Sequence, residues 1–314
     1  MPIEAPGLPW TDEQWATAQR TVLEAARKAR VASSFLPLFG PLPSGQATVP
    51  ALNMESTEIV QGQRGEAPKR LEIDDGKTFR LTTIACDVYL RTQEAEDPDL
   101  GAARQMLARA ADVIGRLEDA IVFNGLEKMR DSHELRIRGS VKILPEIYTI
   151  RNGEQSDGLS HVGTPIPVQG RKALVSAVVE AIQTLEGTGY YGPFACVLGD
   201  ELYLAANTPN KNSLVLPSDR ITPFLEGGPL RRSGVVPAPQ GVVVALSGSP
   251  IDLVVASDVH VEYVQLTIEP RYVLRVSERF VLRIKQPGAV CRLEADSAAS
   301  AEQDRDEALA NTNG

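Results

Sequence analysis

Three histidines, three cysteines and a few acid pairs are the residues of this chain that could do chemistry, and their spacing decides what each is worth. His133-Glu134 continues into Leu135, Arg136 and Ile137, so the second histidine of an HExxH zinc helix is missing and the pair reads as a solvated, charged loop. His260 and Glu262 alternate as in the HxE half of a zinc deaminase, but no PCxxC follows, which leaves one polar face of a strand. His161 stands in a Gly/Ser-rich loop without a ligand partner at useful spacing. Glu118-Asp119 could be an acid pair, yet neighbours on a helix point about 100° apart. They read as solvated acids or as half of an interchain salt bridge. Gly62-x-x-Gly65 and Gly227-Gly228 lack the lysine and hydroxyl residue of a phosphate loop, and no GxGxxG follows a strand. Cys86, Cys196 and Cys291 are odd in number, far apart and set in apolar stretches. They read as small buried hydrophobes in a reducing compartment. No Ser/His/Asp set forms, so the chain is expected to be no enzyme, with neither metal nor cofactor.

The elements that would have to position such groups are easier to read. Thr11 is a good N-cap for a helix carrying Asp12, Glu13 and Gln14 in its first turn. Its apolar stripe, Trp15, Ala18, Val22, Ala25, Ala26 and Ala29, is narrow and mostly alanine, which suits close packing or a face left for a partner. Prolines 37, 41, 43 and 50 make an extended linker. Met54–Val60, Arg70–Ile73 and Thr78–Thr83 predict a β-arm with Asp74-Asp75-Gly76 as a tight turn. Such an arm has too little core to stand alone and must pack elsewhere, a first sign of assembly.

Asp99 is expected to cap a helix over Gly101–Asn124, about 35 Å long, and a further helix is predicted over Arg171–Glu186. A strand over Ala195–Leu198, a helix over Asp200–Ala206 and a loop from Thr208 to Pro229 follow. Strands over Val242–Leu246, Ile251–Ala256, Val259–Ile268 and Tyr272–Ile284, the last broken near Ser277, close the chain. Helices early and strands gathered late indicate α+β. Residues 127–170 are polar and irregular, and the tail from Asp296 has the composition of a disordered segment.

The chain has 314 residues and a net charge of −9. From Glu294 onward six acids oppose Arg305, which contributes −5 and leaves −4 for the rest. An acidic body argues against nucleic acid as a partner. No apolar run reaches the roughly 20 residues of a membrane span, and no secretory leader is visible, so neither membrane nor export is expected and the cytoplasm is the default.

Four stretches in one order resemble the encapsulin family. They are PWTDEQWATAQRTVLEAARKAR with FGPLPSG; ARAADVIGRLEDAIVFNG; GYYGPFACVLGDELY; and IDLVVASDVHVEYV with ERFVLRIKQPGAVCRLE. The resemblance implies the α+β Hong-Kong-type capsid fold of tailed phages. It implies an N-terminal helix and linker (1–50), an E-loop hairpin (51–84), a P-domain with the spine helix (85–140), an A-domain (141–250), closing P-domain strands (251–294) and a tail (295–314). It implies a shell subunit that assembles with itself into an icosahedral nanocompartment. Enclosed there is a cargo protein with a targeting peptide, a ferritin-like iron oxidase or a dye-decolourising peroxidase. Trp15, Val22, Leu23 and Ala26 are expected to help form the peptide groove, and Asn210, Lys211, Asn212 and Ser213 the pore loop. Some members stack a flavin on an E-loop tryptophan; with Trp10 and Trp15 the only tryptophans, no flavin is carried over. The other reading is a prophage capsid protein packaging DNA.

Overall fold

The structure is a computed structural model, and it describes residues 7–43, 45–55, 72–74, 76–131, 135–137, 141–143, 147–153, 156–169, 173–209 and 215–295. In chain order the elements are α1 (Asp12–Ala29), β1 (Leu38–Phe39), β2 (Thr48–Pro50), β3 (Asn53–Glu55), β4 (Glu72–Asp74), β5 (Thr78–Arg80) and β6 (Thr82–Arg91). The middle holds α2 (Thr92–Ala95), α3 (Gly101–Asn124), α4 (Leu126–Asp131), β7 (Leu135–Ile137), β8 (Val141–Ile143), β9 (Tyr148–Asn152), β10 (Thr164–Val168) and α5 (Ala173–Gly187). The last third holds β11 (Phe194–Leu198), α6 (Asp200–Ala206), α7 (Pro217–Ile221), β12 (Leu230–Arg232), β13 (Gln240–Ala245), β14 (Ile251–Leu266), β15 (Arg271–Ile284) and β16 (Val290–Ala295).

Two five-stranded sheets organise the molecule. The first runs β1-β14-β15-β6-β9 and the second β10-β16-β13-β11-β12. α1 and α3 pack together over the first sheet, with Val22, Ala26, Leu107, Ile114, Leu117, Phe123, Val276 and Phe280 in one core. α5 covers the second sheet, where Leu174, Val178, Leu185, Phe194, Cys196 and Leu293 form another. Strand period two splits β11, β13 and β16 between the two. Cys196, Val243 and Cys291 face α5, whereas Val197, Val242, Val244 and Val290 join the α1–α3 core. A sheet buried on both faces reads as continuous apolar runs, which is why FACVL and GVVVA show no alternation.

Thr11 caps α1 as expected: its hydroxyl accepts from the Gln14 N–H at 3.3 Å, while Gln14 Oε1 accepts from the Thr11 N–H at 2.9 Å. The alanine stripe lets α1 lie close on α3. A Cβ at Gly115 would meet Ala29 Cβ at 3.0 Å and the Ala26 carbonyl oxygen at 3.2 Å. α3 keeps its expected bounds, but Asp97 rather than Asp99 serves its start, taking the Gly101 N–H at 2.8 Å because Leu100 turns left-handed at φ 52°.

The β-arm differs from expectation. β2 pairs antiparallel with β5 and β3 with β4, so 48–55 and 72–80 are its two legs. Asp74–Gly76 is an interruption in the return leg and not the turn. Between the pairs Pro50↔Thr78 and Asn53↔Asp74 that leg carries one residue more than its partner, the count of a β-bulge. Most of the expected strand Met54–Val60 lies outside the described residues.

Further expectations change. β15 runs unbroken through Ser277, which is buried, and β14 joins the two strands expected at 251–256 and 259–268 with register shifts between Val255 and His260. β9 pairs with β6 in the first sheet, although it falls in the stretch expected for the A-domain. β16 pairs with β13 and β10, so 290–295 lies in the second sheet and not beside β14 and β15. The loop at 208–229 contains α7, which starts on Pro217 at its first turn.

Candidate functional site

α1 divides the four residues expected to form a docking groove. Val22 and Ala26 have no exposed surface and sit in the core, so they cannot touch a peptide. Trp15 and Leu23 are half-buried and keep accessible atoms. Trp15 lies edge-on to Trp10 with ring centres 5.0 Å apart, and the Trp10 indole N–H donates to the Ala95 carbonyl at 2.9 Å. The narrowness of the stripe that suggested a partner face instead reflects the closeness of α3. The other side of α1 is polar, with Glu13, Arg20, Glu24, Arg27 and Lys28 exposed. Gln19 clamps the helix to β14, donating to the Val259 carbonyl at 3.0 Å and accepting from the Val261 N–H at 3.1 Å. The expected pore-loop residues Asn210, Lys211, Asn212 and Ser213 lie outside the described residues.

The base of the β-arm is tied to the first sheet. Arg283 donates from Nε and Nη2 to the two Asp252 oxygens at 2.8 and 2.7 Å, and from Nη1 to the Pro50 carbonyl at 3.2 Å. Its guanidinium lies 5.2 Å from the Phe39 ring centre. Lys285 Nζ stands 3.1 Å from the same aspartate. Arg279 donates to the Gln46 carbonyl at 2.9 Å. Val49, Phe79, Leu81, Val254 and Val281 pack at that base.

Glu118 and Asp119 correct the expectation of solvated or interchain acids: both are buried within this chain. Asp119 accepts the Val31 and Ala32 N–H groups at 2.8 Å each, capping the turn that follows α1. Glu118 meets Arg30 Nε at 2.5 Å, and the same guanidinium reaches Glu278 of β15 at 2.7 Å and Asp258 of β14 at 2.9 Å. Burial works against the charge of Arg30, but Glu278 and Glu118 outweigh it and raise its pKa. Burial likewise pushes Glu118 up, opposed by Arg30 and by the neighbouring Glu278 and Ser33 groups. Burial and then the Glu118 charge hold Glu278 well above the ordinary carboxylate range, and the same two causes act on Asp119.

Glu278 was missed, and a signal existed. Leu274, Val276, Phe280 and Leu282 alternate into the core, and Glu278 occupies the position between them. Glu118 is four residues from both Ile114 and Val122, which have no exposed surface.

The remaining candidates stay apart. His161 accepts from Lys128 Nζ at 2.8 Å, and burial with that cation lowers its pKa. His260 stands 3.0 Å from the Asp258 carbonyl oxygen. His133-Glu134 and Gly62–Gly65 lie outside the described residues. At Gly228 a Cβ would sit 1.9 Å from the Phe194 carbonyl oxygen, so strand packing requires that glycine. Cys196 and Cys291 face one core, and burial pushes their thiols up, to about 12 and about 11. Among the described residues no three His, Cys, Asp or Glu side chains gather as a metal site, and no helix is long and apolar enough to cross a membrane.

The family model Linocin_M18, described as an encapsulating protein for peroxidase, matches residues 4–132 and 147–281. The type 1 encapsulin shell protein EncA of Myxococcus xanthus is 26% identical over 92% of this chain and 95% of that protein. A diheme-cytochrome–encapsulin shell fusion protein of Kuenenia stuttgartiensis is 30% identical over 90% of this chain and 73% of that protein. Among solved structures, a virus-like particle from Pyrococcus furiosus superposes with a TM-score of 0.61 at 15% identity, over 90% of this chain and 100% of that one. The capsid of Myoviridae phage XM1 gives 0.54 at 11% identity, over 83% and 90% of the two chains. The fold is thus that of tailed-phage capsids, and since the family model and both shell relatives span nearly the whole chain, the protein belongs to the encapsulin family and is a subunit of a capsid-like shell particle.

Proposed function

We propose that this shell is a cytoplasmic nanocompartment that encloses a cargo enzyme, held to its wall by a short terminal targeting peptide. The observation that carries the reading is the match to a family described as encapsulating a peroxidase, over residues 4–132 and 147–281, which include α1, α3 and most strands of both sheets. A peroxidase is therefore the cargo we favour, with a ferritin-like iron oxidase as the second candidate. The β-arm supports assembly: its legs pair with each other as β2–β5 and β3–β4, and Val49, Phe79 and Leu81 pack on the first sheet at its base. Strand pairs of that size need a further surface, and a neighbouring subunit supplies one. On α1 the peptide would meet Trp15 and Leu23, the two accessible members of the expected groove. Residues 210–213 would line a pore for small ions.

Particles purified from the native cell test this. Negative-stain microscopy is expected to show uniform hollow shells, and mass spectrometry of opened shells a folded oxidative enzyme. Packed nucleic acid in place of protein would establish the prophage capsid reading instead. Trp15→Ala with Leu23→Ser is expected to leave assembly unchanged and to cut the cargo recovered per shell. Full loading by that variant sinks the docking site but not the shell.

A further inference from the structure

Arg30 is the last residue through which α1 is held to the rest of the fold, and the site that holds it has more acid than base. Glu118 from α3, Glu278 from β15 and Asp258 from β14 surround one guanidinium. Asp119 from α3 stands beside them with its oxygens on backbone N–H groups. Ser33, in the turn after α1, is the remaining polar group there. On β6 the residue opposite Glu278 is Ile84, buried and apolar, so no further cation enters from that strand. The Asp258 side chain is half-exposed to water, whereas the side chains of Glu118 and Glu278 have no exposed surface.

Geometry also leaves the pair short of donors. The ion pairs are close but poorly aligned, and both oxygens of Glu118 and both of Glu278 lack an aligned hydrogen-bond partner, as do Arg30 Nε and Nη2. Four buried acceptors without a good donor, and two buried carboxyls on one cation, are satisfied together if one carboxyl keeps its proton. It would then donate to the other, which remains the counter-ion of Arg30.

We propose that Glu118 and Glu278 share one proton in the folded chain near neutral pH, and that losing it to solvent on the alkaline side releases the C-terminal end of α1 from α3 and the first sheet. Once both carboxyls are ionised, two negative charges face each other out of water with one guanidinium between them. The C-terminal end of α1 is the part that can loosen, because Arg30 and the Asp119-capped turn hold it there, while Gln19 clamps the helix nearer its middle. The sign follows from linkage: a folded carboxyl that holds its proton above the unfolded range contributes stability on the acid side, lost as pH rises.

Hydrogen–deuterium exchange on whatever particle the full chain forms tests this, so that failure of the shell reading and failure of this one remain separable. The readout is protection of α1 relative to α5 in the same sample, which cancels the pH dependence of intrinsic exchange. In the wild type the ratio is expected to fall on the order of tenfold between roughly pH 7 and pH 9, and in Glu278→Gln to stay level. A level ratio in the wild type, or an equal fall in the variant, overturns the proposal. Should Glu278→Gln not fold, infrared spectroscopy of the wild-type particle decides. A protonated carboxyl C=O stretch at neutral pH that vanishes on the alkaline side supports the shared proton, and its absence at neutral pH overturns it.

Discussion

Two buried ion clusters sit on the first sheet, one midway along β14 and β15 and one where β14 begins and β15 ends, and they are opposite in balance. Around Arg30, three carboxylates converge on one cation. Around Asp252, two cations converge on one carboxylate. The base-rich cluster is well made: Arg283 is bidentate on Asp252, donates again to the Pro50 carbonyl and lies over an aromatic face. The acid-rich cluster leaves polar atoms unaligned. A guanidinium does not give up its proton, whereas burial raises the Glu118 and Glu278 carboxyls of the acid-rich cluster. The sheet therefore has a well-aligned fastening at the arm and a poorly aligned, acid-rich one at α1.

The sharpest way to break this contrast is Asp252→Ala. It leaves two buried cations facing each other and is expected to cost about 3–5 kcal/mol by denaturant titration, with little change across the neutral range. Arg30→Met comes next, at about 1–3 kcal/mol near neutrality, because the abandoned carboxyls can take up protons. Its cost is expected to grow as pH rises, since Glu118 and Glu278 already sit above the ordinary range and their stabilising proton is lost in that direction. Equal pH slopes for the two variants would erase the distinction. The smallest effect belongs to Asp87→Asn, which removes a bidentate partner of Arg275 that water reaches on both sides. It is expected to cost at most about 1 kcal/mol and to fade with salt, giving the baseline for an ion pair that is not enclosed.

What was legible in the sequence follows the range over which each signal acts. α3 at Gly101–Asn124 and α6 at Asp200–Ala206 have their expected bounds because helical periodicity is a local property. The order of four family-like stretches carried the fold class. The sheet to which β16 belongs was not legible, since pairing with β13 depends on partners about fifty residues away. Asp97 displaced Asp99 as the cap because Leu100 adopts a left-handed turn that residue type does not announce. Of the four residues expected to form a peptide groove, Trp15 and Leu23 keep open surface, while Val22 and Ala26 are buried in the core, because helical periodicity does not tell which side of a stripe a neighbouring helix covers. The acid cluster went unread because charged residues are ordinarily assigned to solvent, and its members come from four separate elements.

The second sheet, whose strands send alternate side chains into both cores, has a mechanical consequence. Val197, Val242 and Val244 point one way and Cys196, Val243 and Ala245 the other, so the two cores share this sheet as a common wall. Close-packed interiors resist compression. A change of volume in one core is thus passed through the shared strands to the other.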